Sequence, residues 1–239
     1  SISAPINLNN FPVDFIELNS ESSLINCLKN KDVCAVIIEG IQGVGGLDYP
    51  SINYLKCLKK NTEKYGTLLI LDEIQSGYGR TGKFFAHQYA DIEADIVTMA
   101  KGMGNGFPVG GVLIHSKIRA IKGILGSTFG GNHLACSAAI AVLETLENEK
   151  LLENVLQLSA YLRTELSSLS EVQNVKGKGL MLGLEFDYSI QEIRSKLVYD
   201  YHIFCGSSAN PNVLRILPPL NVSKKQIRPF ITSLKEILT

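Results

Sequence analysis

Lys101 closes a short apolar run, residues 95–100 (DIVTMA), and glycines follow it at 102, 104 and 106. A lysine after such a run is most often solvent-exposed at the end of a strand. Glycines, however, let the backbone turn tightly beside a bulky ligand. A lysine held there, desolvated and near cationic groups, could form imines and move protons. Asp72 lies 29 residues earlier, at the end of a second apolar run, residues 67–71. A carboxylate finishing a buried strand must be solvated, paired or coordinated, because burying it unpaired costs on the order of several kcal/mol. It either caps the following turn or pairs with a cationic ring nitrogen, and a cationic ring is a strong electron sink. Arg215 stands in the apolar stretch LRILPPL. Its planar fork suits a carboxylate, either of a structural ion pair or of a ligand. Ser127 and Thr128, in GSTFGGN before a helical segment, either cap that helix or offer donors to an anion.

The elements that must position these groups alternate. Residues 34–39 (CAVIIE), 67–71, 95–100 and 109–115 are apolar runs of the buried-strand type, and residues 51–65 predict a helix opening after Pro50. Strands so continuously apolar are expected where helices cover both faces of a mostly parallel sheet. Ligands of such sheets gather beyond the carboxyl ends of the strands, and Glu39, Asp72 and Lys101 occupy such ends. A helical pair is predicted over 133–147 and 150–168. Beyond it the pattern changes to a glycine-punctuated strand region (175–186), a helix (191–201), a short strand (214–217) and a closing helix (224–238). The fold class expected is α/β, with residues 1–147 in a larger domain and 148–239 in a small α+β domain.

Composition narrows the function. Lys plus Arg and Asp plus Glu each number 23 in 239 residues, so net charge supplies no attraction to nucleic acid or an anionic membrane. No apolar run is long enough to span a bilayer. The five cysteines form no C-x-x-C pair and the four histidines are isolated, which predicts no metal site and suits a reducing, cytoplasmic setting. Gly77, Gly79 and Gly82 match G-x-G-x-x-G. A dinucleotide site, though, needs the strand to run straight into the first glycine and a helix to open after the last. Asp72 and Glu73 intervene, so a flexible turn is the expectation. The opening SISAPINLNNFP is loop-like, and the chain reads as part of something longer.

Taken in order, IIEGIQGVGG, LLILDEIQSGYGRTG, DIVTMAKGMGNGFPVGG, GSTFGGNHLACSAA and LRILPPL resemble the motifs of class III aminotransferases that use pyridoxal 5'-phosphate. The acetylornithine branch is the most similar, and the match runs from about Ala35 to the C-terminus. The resemblance implies a fold-type-I transferase and assigns roles. Lys101 would be the Schiff-base lysine and proton shuttle. Asp72, Glu73, Ile74 and Gln75 would surround the cofactor: Asp72 on the pyridine nitrogen, Ile74 on the ring face and Gln75 on the phenolic oxygen. Thr128 would reach the cofactor phosphate of a neighbouring subunit, which implies a homodimer. Ser127 would lie beside the substrate and Arg215 would bind its carboxylate. The implied reaction moves the terminal amine of an N-acylated ornithine to 2-oxoglutarate, in arginine biosynthesis. Other ω-amino acid aminotransferases, a glutamate-semialdehyde aminomutase and a non-catalytic chain are the alternatives.

Two departures stand out. Relatives commonly read E-P-I-Q-G-E-G-G, where this chain has Gly40 for the proline and Val44 for the second glutamate. In relatives that glutamate gates the carboxylate-binding arginine, so Val44 predicts a permanently available Arg215. The family's N-terminal elements, a phosphate-binding glycine loop, a ring-stacking aromatic and a second arginine, have no match here.

Overall fold

The computed structural model describes residues 12–29, 32–119, 121–123 and 126–239; the loop-like opening, residues 1–11, lies outside them. A short helix, α1 (Glu21–Leu28), is capped by the Ser20 hydroxyl and buries Leu24 and Leu28. Its eight residues are too few to show a clear apolar period, and the sequence did not announce it. The β-branched run that follows extends as β1 (Ala35–Glu39). Helix α2 (Ile52–Tyr65) begins at Ser51, whose hydroxyl accepts the Tyr54 N–H at 3.0 Å, and stops at Gly66 in the left-handed region, φ 72°. Strands β2 (Leu68–Asp72), β3 (Ile96–Met99) and β4 (Gly111–Ile114) complete the first sheet in the order β1-β2-β3-β4.

The first three strands are parallel, and β4 is antiparallel to β3. The reason is the connection. A parallel return needs a crossover of about a dozen residues or more, usually a helix; residues 100–110 contain only a 3-10 turn. Tyr54, Leu55 and Leu58 of α2 pack with α1 on Leu69 and Leu71 of β2. Later helical residues, Leu146 and Leu151, pack on Val97 and Met99 of β3. Among the described residues nothing covers Ile37 of β1, 63% exposed, or Val112 of β4, 54% exposed; Ile37 points away from the face on which Val36 and Ile38 pack with α1 and α2.

The chain then forms α3 (His133–Asn148) and α4 (Leu151–Ser167). The second sheet follows: hairpin β5 (Asn174–Lys178) and β6 (Met181–Glu185), helix α5 (Gln191–Tyr199), the two-residue β7 (Gly206–Ser207) and β8 (Val213–Ile216). Its order is β5-β6-β8-β7, antiparallel throughout. Helix α6 (Lys224–Leu238) closes the fold from a Ser223–Gln226 capping box and buries Ile227, Phe230, Ile231 and Leu234, one helical face. These pack with Leu158, Leu162 and Leu166 of α4 on Leu182, Leu184 and Leu214 of the sheet. The architecture is α/β, a larger and mostly parallel sheet followed by a smaller antiparallel one. Among the described residues no helix is long and apolar enough to cross a membrane, and no cluster of metal ligands occurs.

One buried carboxylate pins the register of the first sheet. Asp95, 3% exposed, accepts the Leu69 N–H at 2.7 Å and pairs with Lys117 beyond β4. Burial opposes its ionisation, but Lys117 and the Leu69 N–H outweigh burial and hold the carboxyl below its ordinary range. A depressed folded-state pKa contributes stability that is present above the unfolded value and lost as pH falls through the folded one. Asp95→Asn is therefore expected to cost about 1–2 kcal/mol at neutral pH. In urea melts at several pH values, the gap from wild type should close below about pH 4.

Candidate active site

Parallel pairing in register brings three strand ends to one level. Glu39 stands opposite Asp72, and Asp72 opposite Thr98. Lys101 begins two residues past β3, in the 3-10 turn Lys101–Met103. Its φ of +46° is left-handed, a conformation that costs an L-residue on the order of 1–2 kcal/mol. The turn survives because Met103 N–H returns to Ala100 O at 3.0 Å and Gly104 N–H to Lys101 O at 3.2 Å. Gly104 cannot be replaced without displacing Phe107, whose carbonyl a Cβ would strike, and Val109, 2.6 Å away.

The carboxylate of Asp72 splits its duties. One oxygen accepts the Ile74 N–H at 2.9 Å, the turn cap open to it from sequence. Its second oxygen makes no hydrogen bond to the described residues. Glu39 accepts the Gly43 N–H at 3.2 Å, and Arg215 donates to the Gly43 carbonyl at 2.8 Å. The Gln75 amide packs so closely on Gly43 that any side chain there would collide with it. One glycine thus joins a strand end of the first sheet to β8 of the second. Burial pushes the Glu39 carboxyl above its ordinary range; the Gly43 N–H opposes this, Asp72 adds to it, and Lys101 opposes it.

Gln75, Lys101 and Arg215 line one cavity of about 1020 Å³, with Tyr78, Arg80 and Pro218. Ligand cavities run from roughly 300 to 1,000 Å³, so the space is at the upper end. Three buried polar atoms nearby have no partner among the described residues: Gln75 Oε1, Thr98 Oγ1 and Arg215 Nε. Buried polar atoms are rarely left so. An amine, an amide and a guanidinium line this large cavity, and Asp72, a carboxylate with an oxygen to spare, lies outside its lining three residues before Gln75; the set fits a charged aromatic cofactor and an acidic substrate.

Other expected residues lie elsewhere. Glu73, 1% exposed, turns away from the cavity. It accepts from Ser76 Oγ, the Ala86 N–H, the His87 N–H and the His87 ring, all within 3.0 Å. Both of its oxygens are occupied in tying residues 73–87 into a loop. Ile74 is half-buried and does not line the cavity. Ser127 and Thr128 are exposed before α3; Ser127 accepts the Gly130 N–H at 2.9 Å, and neither residue lines the cavity. Lys101 itself is exposed and faces Glu39, whereas desolvation among cationic groups was expected. The level strand ends place carboxylates around it, and no described element closes over it. Residues 77–82 are buried apart from half-buried Arg80. They form a packed turn instead of a flexible one, and no helix opens after Gly82. Arg80 and Thr98 escaped notice in the sequence, since neither ends an apolar run. The signal for Thr98 was its register with Asp72.

The family model for class III aminotransferases matches residues 13–238. The chain belongs to that family, which depends on pyridoxal phosphate. It is 37% identical over 219 residues to the acetylornithine aminotransferase of Methanosarcina mazei, covering 91% of this chain and 55% of that protein. To the Bacillus subtilis acetylornithine aminotransferase it is 36% identical over 229 residues, 94% of this chain and 59% of that one. This class III aminotransferase chain thus spans a little over half the length of the curated relatives it matches. Among solved structures, ornithine aminotransferase from Toxoplasma gondii superposes with a TM-score of 0.89 at 29% identity, covering 97% of this chain and 58% of that one. N-acetylornithine aminotransferase from Stenotrophomonas maltophilia gives 0.80 at 32% identity, with 93% and 61% covered. The two-sheet architecture is that of fold-type-I transferases.

The proximity of Glu39, Asp72 and Lys101 is open to direct titration. Asp72→Asn removes a negative neighbour, so the Glu39 carboxyl should titrate at lower pH than in the wild type; Lys101→Met should move it higher. Carboxyl-carbon NMR shifts followed against pH check both directions.

Proposed function

We propose that the protein is a pyridoxal-phosphate-dependent aminotransferase that moves the terminal amine of an N-acylated ornithine to 2-oxoglutarate, releasing a semialdehyde and glutamate. The observation that carries this reading is the level ending of β1, β2 and β3, with Lys101 just beyond, and a cavity that Lys101 and Arg215 both line. The bound cofactor supplies the electron sink that makes a carbon beside nitrogen acidic.

The chain's own residues then have distinct tasks. Lys101 would hold the cofactor aldehyde and, once displaced by substrate, carry a proton between the substrate carbon and the cofactor. The free oxygen of Asp72 would keep the pyridine nitrogen protonated. Gln75 would hydrogen-bond the phenolic oxygen, and Ile74 would support the ring. Glu73 contributes indirectly, by tying down the loop that carries Gln75. Thr128, exposed on its loop, is assigned to the cofactor phosphate of a second copy, and Ser127 to the substrate's edge; this reading needs a homodimer. We take residues 1–147 as part of the large cofactor-binding domain, 148–239 as the small domain, and the cytoplasm as the working compartment.

The environment of Arg215 supports a choice of substrate. Its Nη1 is held by a backbone carbonyl and its buried Nε has no partner. Val44, where relatives have glutamate, lends only its carbonyl, to the Ala209 N–H at 2.7 Å. A guanidinium with no internal carboxylate favours substrates bearing a second carboxylate, such as N-succinylornithine or glutamate. The succinyl compound is expected to exceed N-acetylornithine in kcat/KM; a clear preference for the acetyl compound would remove this assignment. For the cofactor, addition of pyridoxal phosphate should produce an absorbance band near about 420 nm, and Lys101→Ala should abolish it. A band that persists in the variant would overturn the role of Lys101.

A further inference from the structure

The packed turn at residues 77–82 joins the two sheets. The Leu180 N–H donates to Arg80 O at 3.0 Å, and Arg80 Nη1 donates back to Leu180 O at 3.4 Å and to Pro218 O. Leu180 sits in the turn between β5 and β6, and Pro218 lies three residues past Arg215. The contact tolerates no side chain at Gly179. Its φ is +59°, and a Cβ would stand 2.5 Å from Arg80 O. At its other end Arg80 is five residues past Gln75 and eight past Asp72. One guanidinium therefore links the loop bearing the cofactor-side residues to the segment bearing Arg215, and it lines the cavity between them.

For stability alone this is an expensive arrangement. Only backbone carbonyls meet the guanidinium, and burial lowers its pKa to about 10. An apolar side chain of similar volume would fill such a place at less cost. What an apolar side chain could not do is donate to two carbonyls from different segments, as the N–H bonds of the single Nη1 do here.

We propose that Arg80 is a positioning residue, whose guanidinium clasps the Leu180 and Pro218 carbonyls and thereby sets the separation of Arg215 from Lys101 and Gln75. The role rests on the reading of Arg215 as the site of a substrate carboxylate. Arg80 then governs how well a carboxylate-bearing substrate spans the cavity and leaves untouched the handling of an amine that lacks one.

The test uses the holoenzyme and four variants: Arg80→Lys, Arg80→Gln, Arg215→Gln and the Arg80→Gln/Arg215→Gln double. Binding of glutarate, an unreactive dicarboxylate, is measured by calorimetry. Turnover is compared for a carboxylate-bearing donor and for butylamine, and the cofactor absorbance reports whether each site is loaded. Either Arg80 variant should raise the glutarate Kd and the donor KM about tenfold, with kcat held within about twofold. Butylamine turnover and the absorbance should stay as in the wild type, and the double variant should bind glutarate no worse than Arg215→Gln alone. Equal losses on butylamine, additive losses in the double variant, or an unchanged glutarate Kd would each overturn the clasp. Should Arg80→Gln fail to fold, Gly179→Ala perturbs the same contact from its other side and must reproduce the selective loss. If Arg215→Gln binds glutarate normally, the carboxylate reading falls and the clasp with it. If Arg215→Gln weakens binding but the Arg80 variants do not, only the clasp falls.

Discussion

The site depends on one constraint, the in-register parallel pairing of β1, β2 and β3. Hydrogen-bond ladders between parallel strands fix which residues end level with one another, and here they place Glu39, Asp72 and Thr98 in a row. A slip of one residue in β2 would swing Asp72 to the opposite face of the sheet, because side chains alternate along a strand. That register is held away from the site, by Asp95 on the Leu69 N–H at the opposite end of β3 and by the leucines of α1 and α2 on β2.

Several unfavourable features gather where the strands end. Two carboxylates repel each other across the first ladder, Lys101 has a left-handed backbone, and buried polar atoms of Gln75, Thr98 and Arg215 are unpartnered. Strain of this kind persists only when surrounding structure over-determines it. The surroundings here include the loop tied through Glu73, and the closed apolar core of α4, α6 and the second sheet. Glu73 and Asp72 are neighbours in sequence with opposite fates. One is sealed into structure, and the other keeps an oxygen without a partner among the described residues.

The two sheets meet through backbone contacts as well as through the packing of Ile41 and Leu47 on Met181 and Val213. Gly43 receives Arg215 and Gln75, and the turn around Arg80 receives the β5–β6 hairpin and Pro218. Glycines recur at these crossings because any side chain would hold the chains apart. The outer faces of β1 and β4 and the exposed Leu134 and Ile140 of α3 make a contrasting surface, apolar and uncovered within the described residues.

The order of amino acids by itself determined most of the elements. Apolar runs ending in Glu39, Asp72 and Lys101 announced strands with chemistry at one end, and the closing helix α6 was expected over the residues it occupies. Family membership was legible too, because the D-E-I-Q and A-K-G strings hold their types and spacing. Only tertiary structure decided what depends on distant partners. The direction of β4 followed from a connection too short for a helix, and the diversion of Glu73 followed from donors fourteen residues away. The G-x-G-x-x-G string shows the limit most plainly. Its glycines have the same letters in a phosphate loop and in a packed crossing, and what separates the two is a hairpin about a hundred residues later in the chain, which no local pattern encodes.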